Sequence, residues 1–246
     1  MLLEGALPVR PGHEDLLAER EHMQVTNTID GDVALITMDD GKKNAITPAV
    51  YADLNAAFDR AESEAKAVVL AGREGAFCAG FDLATMTSGD AQAILEVAKG
   101  GAEFALRLWS FPKPLVIACT GHAFTIGAIW LCCGDTRIGD RGPFKIGMNE
   151  TRMGMTFTPW ALGPLEYRLS KQHWIKSIVQ AHVYDPDGAL EAGFLDEVVD
   201  DRQAVARALD VAGELAQLPG KAYAKTKIMT RAESIDVMRS DIATMG

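Results

Sequence analysis

Two stretches of this sequence combine a buried-type strand, a glycine-bearing turn and the start of a helix. One runs from Ala67–Ala71 to Phe77-Cys78-Ala79-Gly80-Phe81-Asp82-Leu83. The other runs from Leu115–Cys119 to Gly121-His122-Ala123-Phe124-Thr125-Ile126-Gly127. Glycine lets a backbone take positive φ and approach a ligand closely. A helix start presents N–H groups with no intrahelical acceptor, together with the positive end of the helix dipole. Two such turns facing one another would hold negative charge developing on a carbonyl oxygen, as an oxyanion hole does. The competing reading is architectural, because strand–glycine–helix turns are common in α/β proteins and most serve packing.

Other residue types offer less. The four cysteines, Cys78, Cys119, Cys132 and Cys133, have no metal-ligand spacing, and neighbouring Cys132 and Cys133 cannot form an ordinary disulfide. They read as small buried residues of a reducing compartment. Cys78 lies beside the first turn, but no His or Asn is placed to activate it. His122 reads as a packing or edge residue, and His173 and His182 as isolated side chains on helices. No Gly-x-Ser-x-Gly elbow is present, which leaves a serine peptidase unsupported.

Regular elements must position the two turns. Gln24–Ile29 and Val33–Asp39, separated by Asp30-Gly31, read as a hairpin. Thr47 is expected to cap a helix with Pro48 at its first position, and Val50, Leu54, Ala57, Phe58 and Ala61 recur at helical spacing. Ala67–Ala71 is a short buried strand, followed by a glycine-rich turn from Gly72 to Gly80. An amphipathic helix from about Ala91 to Trp109 is stopped by Pro112 and Pro114. Leu115–Cys119 is apolar throughout, the mark of a strand covered on both faces. A short helix Gly127–Cys133 and strands Thr136–Ile138 and Phe144–Ile146 follow. From Trp160 the pattern is helical almost to the end, broken around Tyr184–Asp187 and Asp200. Strand–helix alternation with a helical tail predicts one α/β domain whose last helices pack outside it or on a neighbouring subunit.

The chain has 246 residues, 48% of them hydrophobic, with a formal charge of −10 and a pI near 5.0. That balance opposes a broad nucleic-acid or membrane-surface role, while leaving room for a local basic cluster. No segment approaches the roughly twenty apolar residues that span a bilayer. The first twenty-two residues carry Pro8, Pro11 and Gly12 and lack the apolar core of a signal peptide. Residues 1–22 are therefore expected to be an extension or an expression remnant, and the protein to be cytoplasmic.

Phe77-Cys78-Ala79-Gly80-Phe81-Asp82-Leu83, with Lys43-Asn44-Ala45-Ile46 upstream and Gly121-His122-Ala123 downstream, resembles the crotonase (enoyl-CoA hydratase/isomerase) superfamily. The order and spacing agree from about Val25 to Val198-Val199, most of the chain. The resemblance implies a crotonase-like spiral of ββα repeats over 23–200 and a C-terminal helical region, 201–246, that builds trimers or hexamers. It implies an acyl-CoA substrate, with coenzyme A belonging to that substrate, and no separate cofactor or metal.

Carried over residue by residue, the oxyanion donors would be the N–H groups of Phe81 and Ile126. Lys43, Ala45, Ala79, Phe81, Asp82 and Leu83 would line the coenzyme A channel. Asp82 would brace the first turn, or simply cap the helix that follows. Lys221, Lys225 and Lys227 would either meet coenzyme A phosphates or form a solvated helix face. Where relatives carry three consecutive glycines, this chain has Thr125-Ile126-Gly127. The N–H groups persist, but Thr125 and Ile126 are expected to narrow the acyl pocket, with Ile129, Met153 and Thr158 also facing it. Thr158 stands where dehalogenases and ring-forming synthases of the family carry an aspartate, which argues against those reactions.

Hydratases of the family resemble one another in using two glutamates. The first position here is Ile129 and the second is Glu150, in Gly147-Met148-Asn149-Glu150. Adding water to an enoyl thioester needs one group to activate water and another to supply a proton. Moving a proton between the α and γ carbons needs only one. The pattern therefore resembles the enoyl-CoA isomerase branch, with Glu150 as acid/base and its carboxyl raised by burial among Met148, Met153 and Met155. The alternatives are a hydratase with an altered pair, a subunit that binds acyl-CoA without catalysis, and a Glu150 that merely caps a loop.

Overall fold

The computed structural model describes residues 24–245. The proposed N-terminal extension, residues 1–22, lies outside them. β1 (Gln24–Asp30) and β2 (Val33–Asp39) form an antiparallel hairpin in which Asp30 pairs with Val33, so the turn residues are Gly31 and Asp32, one position later than expected. Gly31 sits at φ +56, which its missing side chain permits. β3 (Ala45–Ile46) is followed by α1 (Val50–Glu64). Thr47 does not cap α1: the helix opens from Ala49 without a side-chain cap, and the Thr47 and Pro48 carbonyls accept from Val50 and Tyr51 in a preceding tight turn.

The next strands alternate between two sheets. β4 (Ala67–Ala71) enters the first sheet, and β5 (Gly75–Cys78) enters the second. The stretch Gly72 to Gly80 is thus not a simple turn: it holds β5 and part of β6 (Gly80–Phe81). α2 (Leu83–Met86) and α3 (Ala91–Trp109) follow. The pattern repeats with β7 (Leu115–Cys119), β8 (Gly121–Phe124) and α4 (Ile126–Cys133), then with β9 (Thr136–Asp140) and β10 (Ile146–Gly147). Phe144 and Lys145 lie outside that last strand, contrary to expectation. β4, β7 and β9 lie side by side and parallel in one sheet, and β5, β8 and β10 do so in the other. Each repeat advances the chain by one strand in both sheets, which is the spiral of ββα units.

β4 and β7 are buried at every position. Alternation with period two sends Val68, Leu70, Leu115 and Ile117 into the main core and Ala67, Val69, Ala71, Val116 and Ala118 into a second, smaller one. That second core is closed by α8 (Ala204–Leu215), whose Ala204, Ala208 and Ala212 recur every four residues and let the helix lie close on the sheet.

Between these elements run α5 (Pro159–Arg168), α6 (Lys171–Trp174), a π-helical turn Ile175–Val179, β11 (Val183–Tyr184), α7 (Pro186–Ala192) and β12 (Glu197–Val199). The final helix, α9 (Gly220–Ala243), packs on α5 and α3 of its own chain. An ionic knot fixes it there. The Asp135 carboxylate accepts from Lys227 at 2.7 Å, Arg231 at 2.7 Å, Tyr223 at 2.9 Å and the Leu115 N–H at 2.9 Å. Arg231 also lies 3.8 Å above the Trp109 ring and donates to the Trp109 carbonyl at 2.9 Å. Lys227 is thus neither a solvated lysine nor free to meet a phosphate: it is buried against Asp135. Lys221 and Lys225 are exposed.

Candidate active site

The carboxyl ends of β5, β8 and β10 open at one place, where open parallel sheets bind ligands. Three short segments meet there: Ala79–Phe81, Thr125-Ile126 and Met148–Glu150.

Asn44 shapes the first segment. It is fully buried at φ +54, a left-handed conformation Asn tolerates better than most residues. Its amide donates to the carbonyls of Met38 (2.9 Å), Ala76 (3.2 Å) and Phe77 (3.1 Å) and accepts from the Asp40 N–H (3.0 Å). The Ala79 N–H donates to the Lys43 carbonyl at 3.0 Å and the Asp82 N–H to Ile46 at 2.9 Å, so Lys43–Ile46 runs parallel beside Ala79–Phe81. The bonds of Ala79 and Asp82 thus hold the chain to the Lys43–Ile46 segment on either side of Phe81. Asp82 caps α2, accepting from the Thr85 N–H (2.8 Å) and hydroxyl (3.0 Å). Lys43 and Leu83 lie exposed on the rim, with Ala45 and Ala79 half-buried between them.

The second segment abuts the first. Gly80 has φ +109, and a Cβ there would collide with Thr125 Oγ1. A Cβ on Gly127 would strike the Cys78 carbonyl. Thr125 itself holds φ +49, ψ −119, a region that favours glycine, and Ile126 begins α4 with its N–H free of any intrahelical acceptor. α4 is buried throughout, Ile129 included. The apolar side chain of Ile129 therefore occupies an enclosed position.

The third segment carries Glu150. β10 pairs Gly147 with Phe124, and Thr125 N–H donates to the Gly147 carbonyl at 3.4 Å, which places Glu150 just past the second turn. A 3₁₀ turn, Thr151–Met153, follows it, with the Glu150 carbonyl accepting from Met153 and Met155, both at 2.9 Å. Thr151 and Arg152 anchor this turn on the carbonyls of Ile178 (3.1 Å) and Ala181 (3.3 Å), at the end of the π-helical turn. Glu150 is half-buried, and its Oε2 is buried without a hydrogen-bond partner among the described residues. Burial pushes its carboxyl up to about 7. The three methionines do not contribute alike: Met148 is fully buried, whereas Met153 is 52% exposed and Met155 36% exposed. Thr158 is exposed at the start of α5, outside the enclosed part of the site.

Phe81, Thr125 and Ile126 are thus brought together, with Glu150 three residues beyond Gly147, to which Thr125 is bonded, while Met153 and Thr158 lie on an exposed stretch. His122 accepts from the Lys145 N–H at 3.0 Å between Phe124 and Phe144, an edge contact. The thiols of Cys78 and Cys119 are pushed up to about 12 and that of Cys132 to about 11 by burial, so none is an available thiolate. Among the described residues no group of three or more His, Cys, Asp or Glu side chains could hold a metal, and no helix is long and apolar enough to cross a membrane. A groove of about 450 Å³ lies elsewhere, around Asp135, Tyr223 and Arg231, where Lys227 and Arg231 are already paired with Asp135. Sequence reasoning did not single out Asn44 as the clamp of the first turn. Its signal was an amide-bearing residue between Lys43 and Ala45, ahead of a helix.

The model of the family described as enoyl-CoA hydratase/isomerase matches residues 28–243. Human mitochondrial enoyl-CoA delta isomerase 1 is 28% identical over 165 residues, covering 67% of this chain but only 55% of that relative's length. The probable enoyl-CoA hydratase EchA14 of Mycobacterium tuberculosis is 29% identical over 231 residues, 88% of this chain and 86% of that one. A solved structure of a probable enoyl-CoA hydratase, EchA3, from Mycobacterium tuberculosis H37Rv superposes with a TM-score of 0.86 at 40% identity, covering 89% of this chain and 93% of that chain. The same mycobacterial protein, described as an enoyl-CoA isomerase, superposes at 0.85 with 39% identity, over 90% and 96% of the two chains. On its fold, its ββα spiral and these matches, the chain belongs to the enoyl-CoA hydratase/isomerase family, of the crotonase superfamily.

Proposed function

We propose that this chain shifts the double bond of a 3-enoyl-CoA thioester into conjugation, with Glu150 as the only acid/base. The observation that carries this reading is the contrast between Glu150, whose buried Oε2 lacks a partner among the described residues, and Ile129, an apolar side chain enclosed where a second carboxylate would be needed for hydration. The thioester oxygen lies between the N–H groups of Phe81 and Ile126. As Glu150 removes the α proton, negative charge spreads over the dienolate, and the two donors meet it on oxygen. The protonated Glu150 then delivers its proton to the γ carbon, which moves the double bond and returns the carboxylate. No water is consumed, and coenzyme A acts as part of the substrate without a separate cofactor. A carboxyl near 7 is a stronger base than an ordinary carboxylate yet still partly ionised at neutral pH, while the oxyanion donors lower the cost of the enolate.

A panel of 2-enoyl-CoA and 3-enoyl-CoA esters tests the reading. Conversion of the 3-enoyl ester without hydration of the 2-enoyl ester is expected. Fast hydration of the 2-enoyl ester would contradict it, and binding without turnover of any ester would leave only the acyl-CoA-binding role.

A further inference from the structure

Helix α3 carries adjacent interior glycines, Gly100 and Gly101, although glycine is disfavoured against alanine at such positions. Gly101 is buried. A Cβ on it would fall 2.8 Å from Cε1 and 3.0 Å from Cζ of Phe81 and 3.3 Å from Cδ1 of Ile126. The side chains of the two donor residues, one from each turn, therefore rest on one glycine of a third element. Trp130 of α4 donates its indole N–H to the Gly101 carbonyl at 3.2 Å and packs edge-on against Phe104 at 4.8 Å. The same residue thus also ties down the helix that Ile126 begins. Gly100 serves a different neighbour, since a Cβ there would run into the Tyr51 ring, which bonds the Val97 carbonyl at 2.6 Å.

We infer that Gly101 is a positioning residue for the oxyanion hole: its missing side chain sets how closely the Phe81 and Ile126 N–H groups converge on the thioester oxygen. The inference rests on the reading of those two N–H groups given above. Neither donor can yield freely. Phe81 follows Gly80, packed against Thr125, and precedes Asp82, bonded to Ile46, while Ile126 is 1% exposed. A methyl group at Gly101 must therefore shift the Phe81 ring and press on Ile126 Cδ1, and the short turns that hold the donors take up whatever those side chains cannot. Misplacement by a fraction of an ångström is costly where donors must meet developing charge.

Two readouts on Gly101→Ala and Gly100→Ala test this: the downshift of the thioester carbonyl stretch of bound butyryl-CoA, and kcat and KM for 3-hexenoyl-CoA. Butyryl-CoA has no double bond to move, so the spectroscopic arm stands whatever the reaction. Gly101→Ala is expected to shrink the carbonyl downshift and lower kcat about tenfold or more with KM little changed. Gly100→Ala is expected to keep the wild-type downshift. The triple variant Gly101→Ala/Phe81→Leu/Ile126→Val removes the colliding atoms while keeping both N–H groups, and is expected to regain much of the downshift even if the single variant folds poorly. A wild-type protein with no downshift would remove the donor pair itself, and this inference with it. A wild-type downshift retained in full by Gly101→Ala, or a triple variant as impaired as the single one while Phe81→Leu/Ile126→Val alone stays intact, would overturn the role of Gly101 and leave the donor pair standing.

Discussion

Two half-buried carboxylates, fifteen residues apart in sequence, live in opposite circumstances. Asp135 is surrounded by donors: an ammonium, a guanidinium, a phenol and a backbone N–H all reach it. Burial alone would raise its carboxyl, but the charges of Lys227 and Arg231 outweigh that and hold it below the usual carboxylate range. Among the described residues Glu150 has no compensating cation and one oxygen unpartnered; the Asn149 and Glu150 N–H groups offset burial only in part, and the carboxyl is pushed up to about 7. A saturated carboxylate cannot take a proton from a substrate without breaking its own bonds, so Asp135 is built to hold α9 in place. An unsatisfied one gains by accepting a proton, which suits Glu150 to the transfer proposed above. The difference lies in what the fold supplies to each group.

The sharpest way to separate them is to remove each charge in turn. Glu150→Gln should abolish isomerisation, a loss of roughly 10²–10⁴ in kcat, while acyl-CoA binding persists. The same variant should not destabilise the fold. Because the Glu150 carboxyl is raised, the native state holds a proton between about 4.5 and about 7 that the unfolded state releases. Native stability therefore falls as pH rises through that window. The neutral glutamine escapes this loss, so the variant should melt higher than wild type at pH 8, by differential scanning calorimetry, with a smaller difference at pH 5. A variant that melts lower at both pH values would break the comparison.

Asp135→Asn should do the reverse: it strands Lys227 and Arg231 in a buried site, at an expected cost of about 3–5 kcal/mol in urea unfolding. Its depressed carboxyl contributes stability above the ordinary range near 4, and that contribution is lost as pH falls below it. Wild-type stability should accordingly fall again in strong acid, and Asp135→Asn should flatten that limb. Tyr223→Phe removes one donor from the same carboxylate and leaves the ion pairs, so a loss of about 1–2 kcal/mol is expected.

The sequence shows this contrast only in part. The two strand–glycine–helix turns, the buried runs Ala67–Ala71 and Leu115–Cys119, and helix Ala91–Trp109 were legible because each has its own period or punctuation. β5 was not, since four residues beginning with Gly75 inside a glycine-rich stretch pair only because β8 lies beside them. Lys227 looked like one of several exposed lysines, and Asp135, far away in sequence, drew no notice. Only the fold brings them to 2.7 Å. Glu150 was found through the family resemblance and burial does raise its carboxyl, but of the three methionines expected around it Met148 alone is buried, while Met153 and Met155 are exposed. Local pattern reports which backbone a segment adopts. The partners of a charge are set by contacts across tens of residues.

The pH dependence of kcat/KM for a 3-enoyl-CoA ester decides whether Glu150 acts alone, because it reads the ionisation of the free enzyme's acid/base. A single rising limb with its midpoint near 7, absent in Glu150→Gln, is the result predicted by one raised carboxylate acting alone. A midpoint in the ordinary carboxylate range near 4.5, or a limb that survives in Glu150→Gln, would contradict it.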